Sequence, residues 1–373
     1  MHLRIDSNYH LVYEPEMIRT FWPVGQGLFC SERFTDPADN TTAVVVYDCG
    51  STREILWNSI EKKFMPQNYG KIDLLFISHF HVDHISGIPY LLQNYDIRNI
   101  LLPVITTSLL AESYIYNALY STTSSTANNL LIGFAQRSIG SDSNLVSVSS
   151  IPDIESVVNG DNGVDSRALG KSLKCGKVIR LNDWIYIPFN HIESDSLRAF
   201  GEDLKSSFPT LYEVFANIER HDESEIQELV KGIGLSKLEE LYRRHYKDLN
   251  RSSMTVYSAP SDLWQKRNAA CLYTGDYPMR DNVFLKDILS FYHHYLHTIG
   301  LLQVPHHGSN ADNPGDLFRA LRPNTCVISA GENNIYRHPG KQTLLNIINS
   351  RSEVKIVTDK AESSYYEAYS RLI

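Results

Sequence analysis

The chain has 373 residues, 42% of them hydrophobic, enough for one large domain or two ordinary ones around a substantial core. Its formal charge of −8 argues against a broad electrostatic grip on nucleic acid, although a local basic cleft or bound metals can still receive phosphates. No apolar run approaches the roughly eighteen residues of a membrane span, and the first residues, Met1 to Asn8, lack the apolar region of a signal peptide. Cys30, Cys49, Cys175, Cys271 and Cys326 are scattered and form no C-x-x-C pair, so buried, reduced thiols in a cytoplasmic protein are expected.

Residues 17–51 predict two strands joined by a polar turn. The first leads into Val24-Gly25-Gln26-Gly27, where two glycines allow a close backbone approach to a substrate or ligand. The second, Ala43 to Tyr47, ends at Asp48-Cys49-Gly50. An acid at the end of a buried strand commonly orients a metal-bound histidine through an outer hydrogen bond, and Asp48 is placed to do so. A helical pattern from Arg53 to Lys63 follows.

An apolar strand from Ile72 to Ile77 then runs into the densest chemistry of the chain, His79, His81, Asp83 and His84 within six residues. Neutral imidazole nitrogens and carboxylate oxygens are ligands for zinc, manganese or iron. In extended chain alternate side chains share a face, so His79, His81 and Asp83 converge while His84 reaches the neighbouring position. The spacing H-x-H-x-D-H can serve two adjacent metals, His79 and His81 on one, Asp83 and His84 on the other.

A helix beginning near Gly87 and a strand from Ile97 to Ile105 complete a strand–helix–strand unit of the α/β kind. Residues 106–178, rich in Ser, Thr and Asn, predict a loop-rich elaboration around an apolar patch at Leu130–Gln136. Strand character at 177–189 ends at Asn190-His191. From Ser194 to Leu249 apolar residues recur at helical spacing, with Asp222 or Ser224 capping one helix and Ser236–Glu239 opening another. This helical insertion, 194–249, is expected to cap the site or to form an interface with a partner or a second copy. Arg243, Arg244, Lys247 and Arg251 near its end form either a small basic patch or a solvated helix face.

Paired strands at Ser253–Tyr257 and Ala269–Tyr273 lead to Thr274-Gly275-Asp276, whose carboxylate could bridge two metals. A helix is expected from Asn282 to His297; its histidines, His293, His294 and His297, share it with Phe284, Leu285 and Ile288 and are not expected to bind metal. Leu301 to Val304 is another apolar strand that delivers side chains at its tip, here His306, His307 and Ser309. A helix, a strand at Thr325–Ser329, a last helix at Lys341–Ile348 and a last strand at Val354–Thr358 follow.

Taken together, V-G-Q-G, D-C-G, S-H-x-H-x-D-H-x-x-G, Y-T-G-D, V-P-H-H-G-S and S-A-G-x-x-N-x-Y-x-H-P resemble, in order, the motifs of the metallo-β-lactamase superfamily and most closely its ComEC-type nuclease domain. They lie within residues 21–90 and 252–340. The resemblance implies an α/β fold, an αββα sandwich holding two divalent metals, Zn or Mn, with the central helical segment inserted in a single domain spanning 1–373. It implies His79, His81, Asp83, His84, Asp276 and His306 as metal ligands, with His307, His338 and Ser309 near the substrate and Gln26 and Asn250 beside the centre. Asn250 stands where most superfamily members carry a further histidine ligand; ComEC-type domains tend to carry asparagine there too, so the first metal is expected to lack that ligand. His191, which follows a strand, is preferred over His245 as a candidate substitute, with a structural, hydrogen-bonded role expected for it otherwise.

The expected activity is hydrolysis of a phosphodiester, DNA foremost. Asp83 and Asp276 would hold the attacking water. His307 or His338 would stabilise charge or protonate the leaving group. Two alternatives stay open: a small-molecule hydrolase of the same fold, acting on a cyclic nucleotide, phosphorylcholine ester, thioester or lactam, and a metal-stabilised binding module.

Overall fold

The computed structural model describes residues 2–5, 11–14, 17–35, 42–52, 70–121, 124–139, 144–152, 163–190, 195–245, 253–261, 269–280 and 282–369. The first nine strands are β1 (His2–Ile5), β2 (Leu11–Glu14), β3 (Met17–Phe21), β4 (Phe29–Thr35), β5 (Thr42–Cys49), β6 (Lys71–Phe76), β7 (Asp96–Pro103), β8 (Leu145–Pro152) and β9 (Val164–Asp165). The rest are β10 (Ser172–Cys175), β11 (Ile179–Leu181), β12 (Trp184–Phe189), β13 (Thr255–Pro260), β14 (Ala270–Tyr273), β15 (Ile299–Gln303), β16 (Thr325–Ser329), β17 (Glu353–Val357) and β18 (Tyr365–Tyr369). They form two eight-stranded sheets, ordered β10-β8-β7-β6-β5-β4-β3-β18 and β17-β16-β15-β14-β13-β12-β11-β9, and a separate β1–β2 pair.

Strand periodicity explains why the two sheets stack. In β5, Ala43, Val45 and Tyr47 point into a core shared with the second sheet, while Val44 and Val46 point the other way, into a helical layer. In β15 and β16, Leu301 and Val327 face the inter-sheet core, and Leu302, Cys326 and Ile328 face a second helical layer. Side chains buried on both faces at about 1.5–3 kcal/mol each favour this four-layer order.

The first helical layer comprises α1 (Val82–Ile85), α2 (Ile88–Asn94), α3 (Thr107–Tyr120), α4 (Ser124–Ile139), α5 (Asp195–Ser207), α6 (Pro209–Ala216), α7 (Glu223–Ile233) and α8 (Leu235–His245). The second comprises α9 (Asn282–Phe291), α10 (Gly315–Leu321) and α11 (Lys341–Asn349). The helical insertion is thus part of a main core: Phe200, Leu204, Leu211, Phe215, Leu238 and Tyr242 pack in one cluster with Tyr114 of α3 and with Ile77 and Phe80 beside the ligand motif. Among the described residues no helix is long and apolar enough to cross a membrane.

Several expectations are corrected. Residues 17–51 make three strands, because Phe29–Thr35 is a strand of its own. Residues 106–178, expected to be loop-rich, contain α3 and α4: the Ser and Asn positions of α4 fall largely on its solvent side while Ala127, Leu131 and Phe134 are buried. Asp222 does cap α7, accepting from the Glu225 amide. Ser236 lies within α8 and not ahead of it. α9 ends at Phe291, and β18, which pairs with β3, was not expected. The expected helix at 53–63 lies outside the described residues.

A charged network also sits between the sheets. Arg19, 0% exposed, pairs with Glu32 at 2.7 Å, and Glu32 accepts from Tyr186, Tyr273 and Ser258 hydroxyls at 2.6–2.9 Å. The five cysteines are buried, unpaired thiols.

Candidate metal centre

Each half of the centre is delivered by a strand that stops. β5 ends at Asp48-Cys49, and the φ of 53° at Asp48 turns the chain sharply. Gly50 follows; a Cβ there would lie 2.4 Å from the His84 backbone, so only glycine lets this strand end lie against the ligand segment. β6 ends at Phe76, and the extended chain after it carries His79 and His81 before α1 presents Asp83 and His84. From the second sheet, β14 ends at the turn bearing Asp276, and β15 leads to His306 and His307.

The histidines are oriented from outside. His79 Nδ1 lies 2.9 Å from Ser78 Oγ and 3.1 Å from Ser253 Oγ. His84 Nδ1 lies 2.8 Å from Asp48 Oδ2, and Asp48 also accepts from the Ser78 amide and hydroxyl at 2.7 Å. His306 Nδ1 lies 2.6 Å from Asp312 Oδ2, itself held by Arg280, and His307 Nδ1 lies 2.9 Å from the Ser329 carbonyl. Each Nε2 is left to face the centre.

Asp83, His84, Asp276 and His307 offer ligand atoms all within 4.8 Å of one another. His84 Nε2 and Asp276 Oδ1 are 3.1 Å apart, as are His307 Nε2 and Asp83 Oδ2; His307 Nε2 and Asp276 Oδ1 are 3.5 Å apart. Ligands about 2.1 Å from a tetrahedral metal lie roughly 3.4 Å from one another, so these separations suit one ion. Beside them His79 and His81 rings stand 4.6 Å apart and His79 and His84 rings 4.1 Å, and the buried His79 Nε2 and His81 Nδ1 find no hydrogen-bond partner. Buried, unsatisfied nitrogens cost about 1–3 kcal/mol each unless something binds them. The donor set therefore fits divalent metals of the zinc or manganese class.

The electrostatics agree. Burial pushes the Asp276 and Asp83 carboxyls up, but the neighbouring histidines overcome it and hold both below the usual carboxylate range. Burial pulls His84 down, yet Asp276, Asp83 and Asp48 raise it well above an ordinary histidine. His79 has the opposite balance: burial and the charges of His84 and His81 lower it.

His307, expected beside the substrate, stands within the four-residue group, whereas His306, expected as a ligand, faces the other oxygen of Asp276 from 3.8 Å. Successive left-handed φ values, 49° at His306 and 51° at His307, swing the second ring toward Asp83. This costs about 1–2 kcal/mol per residue, and the turn is held by the His306 amide donating to the Gly275 carbonyl.

His338 lies at the edge, its ring 5.5 Å from His306 and 6.4 Å from His307. Gln26 is buried, and its carbonyl accepts from the Thr52 amide, which pins the V-G-Q-G turn. Ser309 Oγ accepts from the Ala311 amide, a local turn contact. His191 and Asn250 lie outside the described residues. His245, weighed as a substitute ligand, is instead bonded to Asp203 on the insertion at 2.9 Å. Ser78, Ser253, Asp312 and Glu112 were not singled out from the sequence; only Ser78, adjoining the ligand motif, carried a local signal.

A model of the metallo-beta-lactamase superfamily matches residues 38–126, the stretch that holds His79, His81, Asp83 and His84. The chain is 40% identical over 75 residues to ribonuclease J of Mycoplasma genitalium, a match covering 18% of this chain and 13% of that one. It is 35% identical over 72 residues to ComE operon protein 3 of Bacillus subtilis, covering 19% and 9%. The chain thus spans a small fraction of the length of those curated relatives. Among solved structures, the metallo-beta-lactamase fold protein YhfI from Bacillus subtilis aligns with 94% of this chain and 100% of its own at 10% identity and a TM-score of 0.41. Residues 38–126 are thus similar to the metallo-β-lactamase superfamily, and the facing sheets between helical layers are the αββα sandwich that the motifs implied.

Proposed function

We propose that this metallo-β-lactamase-superfamily chain is a metal-dependent phosphodiesterase with DNA as its leading substrate. The observation that carries the reading is the meeting of two carboxylates, Asp83 and Asp276, with inward-facing histidines from both sheets in one buried centre. A relative named as a ribonuclease supports phosphodiester chemistry, and the likeness to ComE operon protein 3 supports the ComEC-type assignment. The five unpaired thiols support a cytoplasmic setting.

His79 and His81 would hold one ion, and Asp83, His84 and His307 the other, with Asp276 between them. Bound there, such ions would lower the pKa of water toward neutrality and offset the charge of a phosphate. Asp83 and Asp276 are held ionised at neutral pH. Burial and the charges of His307 and His306 pull His338 down to about 4. So lowered, it favours the neutral form at pH 7, which supports the charge-stabilising role over protonation of the leaving oxygen.

A smaller substrate, such as a cyclic dinucleotide, is the second reading. Arg243 and Arg244 on the insertion are paired with Glu239 and Asp203, as a solvated helix face would have them, while Lys247 and Arg251 lie outside the described residues. Single- and double-stranded DNA, RNA and cyclic dinucleotides, each assayed with zinc and with manganese, separate the two readings, with His79→Ala as control. Metal-dependent cleavage is expected; no turnover of any phosphodiester by metal-loaded protein overturns both.

A further inference from the structure

One carboxylate lies between the helical insertion and the ligand segment and has polar contacts to both. Glu112, on α3, is 3% exposed, and a buried charge is costly unless its oxygens are engaged. Oε2 accepts from the Ser113 hydroxyl at 3.1 Å, and Oε1 accepts from the hydroxyl of Tyr242, on α8 of the insertion, at 2.9 Å. The same Oε1 faces His81 Nε2 at 3.6 Å.

His81 differs from the other described histidines of the centre. His79, His84, His306 and His307 each have Nδ1 engaged from outside, which leaves Nε2 for the centre. Neither ring nitrogen of His81 is hydrogen-bonded, but Nε2 is the one that faces Glu112, which leaves Nδ1 as the atom it has to give. Its ring is stacked on Tyr116 with 3.6 Å between centroids and 15° between planes, which restricts it to small movements in its own plane.

We propose that Glu112 is the positioning residue for His81. When metal is loaded, the 3.6 Å separation closes to a hydrogen bond from His81 Nε2–H to Oε1, fixing the tautomer whose Nδ1 lone pair points at the ion shared with His79. Tyr242 holds the carboxylate in place, so the insertion sets the affinity of one metal site. This rests on the proposed metal chemistry and on no particular substrate.

The test measures zinc stoichiometry and affinity by chelator competition in Glu112→Gln and Tyr242→Phe, together with the melting of the metal-free proteins. Glu112→Gln is expected to weaken one of two zinc sites by 10- to 100-fold, leave the other unchanged and not lower the metal-free melting temperature. Tyr242→Phe is expected to shift the same site less. Wild-type affinity at both sites in Glu112→Gln overturns the inference. So does an equal loss of both zinc ions with a destabilised metal-free protein, the mark of a structural role. A protein that loads two zinc ions and cleaves no phosphodiester overturns the functional proposal and leaves this one standing.

Discussion

His84 Nδ1 stands 2.8 Å from Asp48 Oδ2, so a carboxylate at the end of β5 aims the ring whose Nε2 lies 3.1 Å from Asp276. Three segments far apart in the chain are joined by this one imidazole. Asp48→Asn keeps the shape and removes the charge that raises the ligand's basicity. Metal affinity is expected to fall about 10- to 100-fold, read by chelator competition, with the fold retained in circular dichroism.

On the proposed assignment Asp276 would serve both ions, whereas His79 would serve one. Asp276→Ala is expected to lose both metals and His79→Ala one, as counted by elemental analysis. In either variant kcat/KM should drop by at least about 10³-fold, about 4 kcal/mol of barrier.

Between the sheets, Glu32→Ala leaves the Arg19 guanidinium buried without its main partner. A loss of about 3–5 kcal/mol is expected in denaturant unfolding. The double variant Arg19→Met, Glu32→Leu should recover only part, because the Tyr186, Tyr273 and Ser258 hydroxyls lose their shared acceptor.

His338, lowered to about 4, binds its proton less readily in the folded chain than in the unfolded one. The unfolded state therefore takes up more protons between about pH 6.5 and 4. The stability this group contributes is complete above about pH 6.5 and is lost as pH falls toward 4, up to about 3 kcal/mol. In metal-free protein, His338→Gln should flatten the stability profile across that window and leave it unchanged from pH 7 to 8. An unaltered slope in the variant would refute the assignment.

Much of the centre was legible because its signals are local. β5, β6, β15 and β16 are apolar runs buried on both faces, and the H-x-H-x-D-H spacing marks its candidate ligands, although Asp83 and His84 lie in the single turn α1 and not in the extended chain expected there. Asp48 was legible as an acid at a strand end. Less visible were elements whose amphipathic pattern is diluted by polar residues: α4 carries Ser, Thr and Asn on its exposed side, and only docking of Ala127, Leu131 and Phe134 makes it a helix of the core.

The sequence by itself determined the ligand types, their spacing and the strands that deliver them, since these depend on residues a few positions apart. Tertiary structure alone decided which of His306 and His307 enters the group around Asp83, because two left-handed residues turn the chain there. It alone brought Glu112 and Tyr242 to His81, because helix packing joins segments that no local periodicity relates.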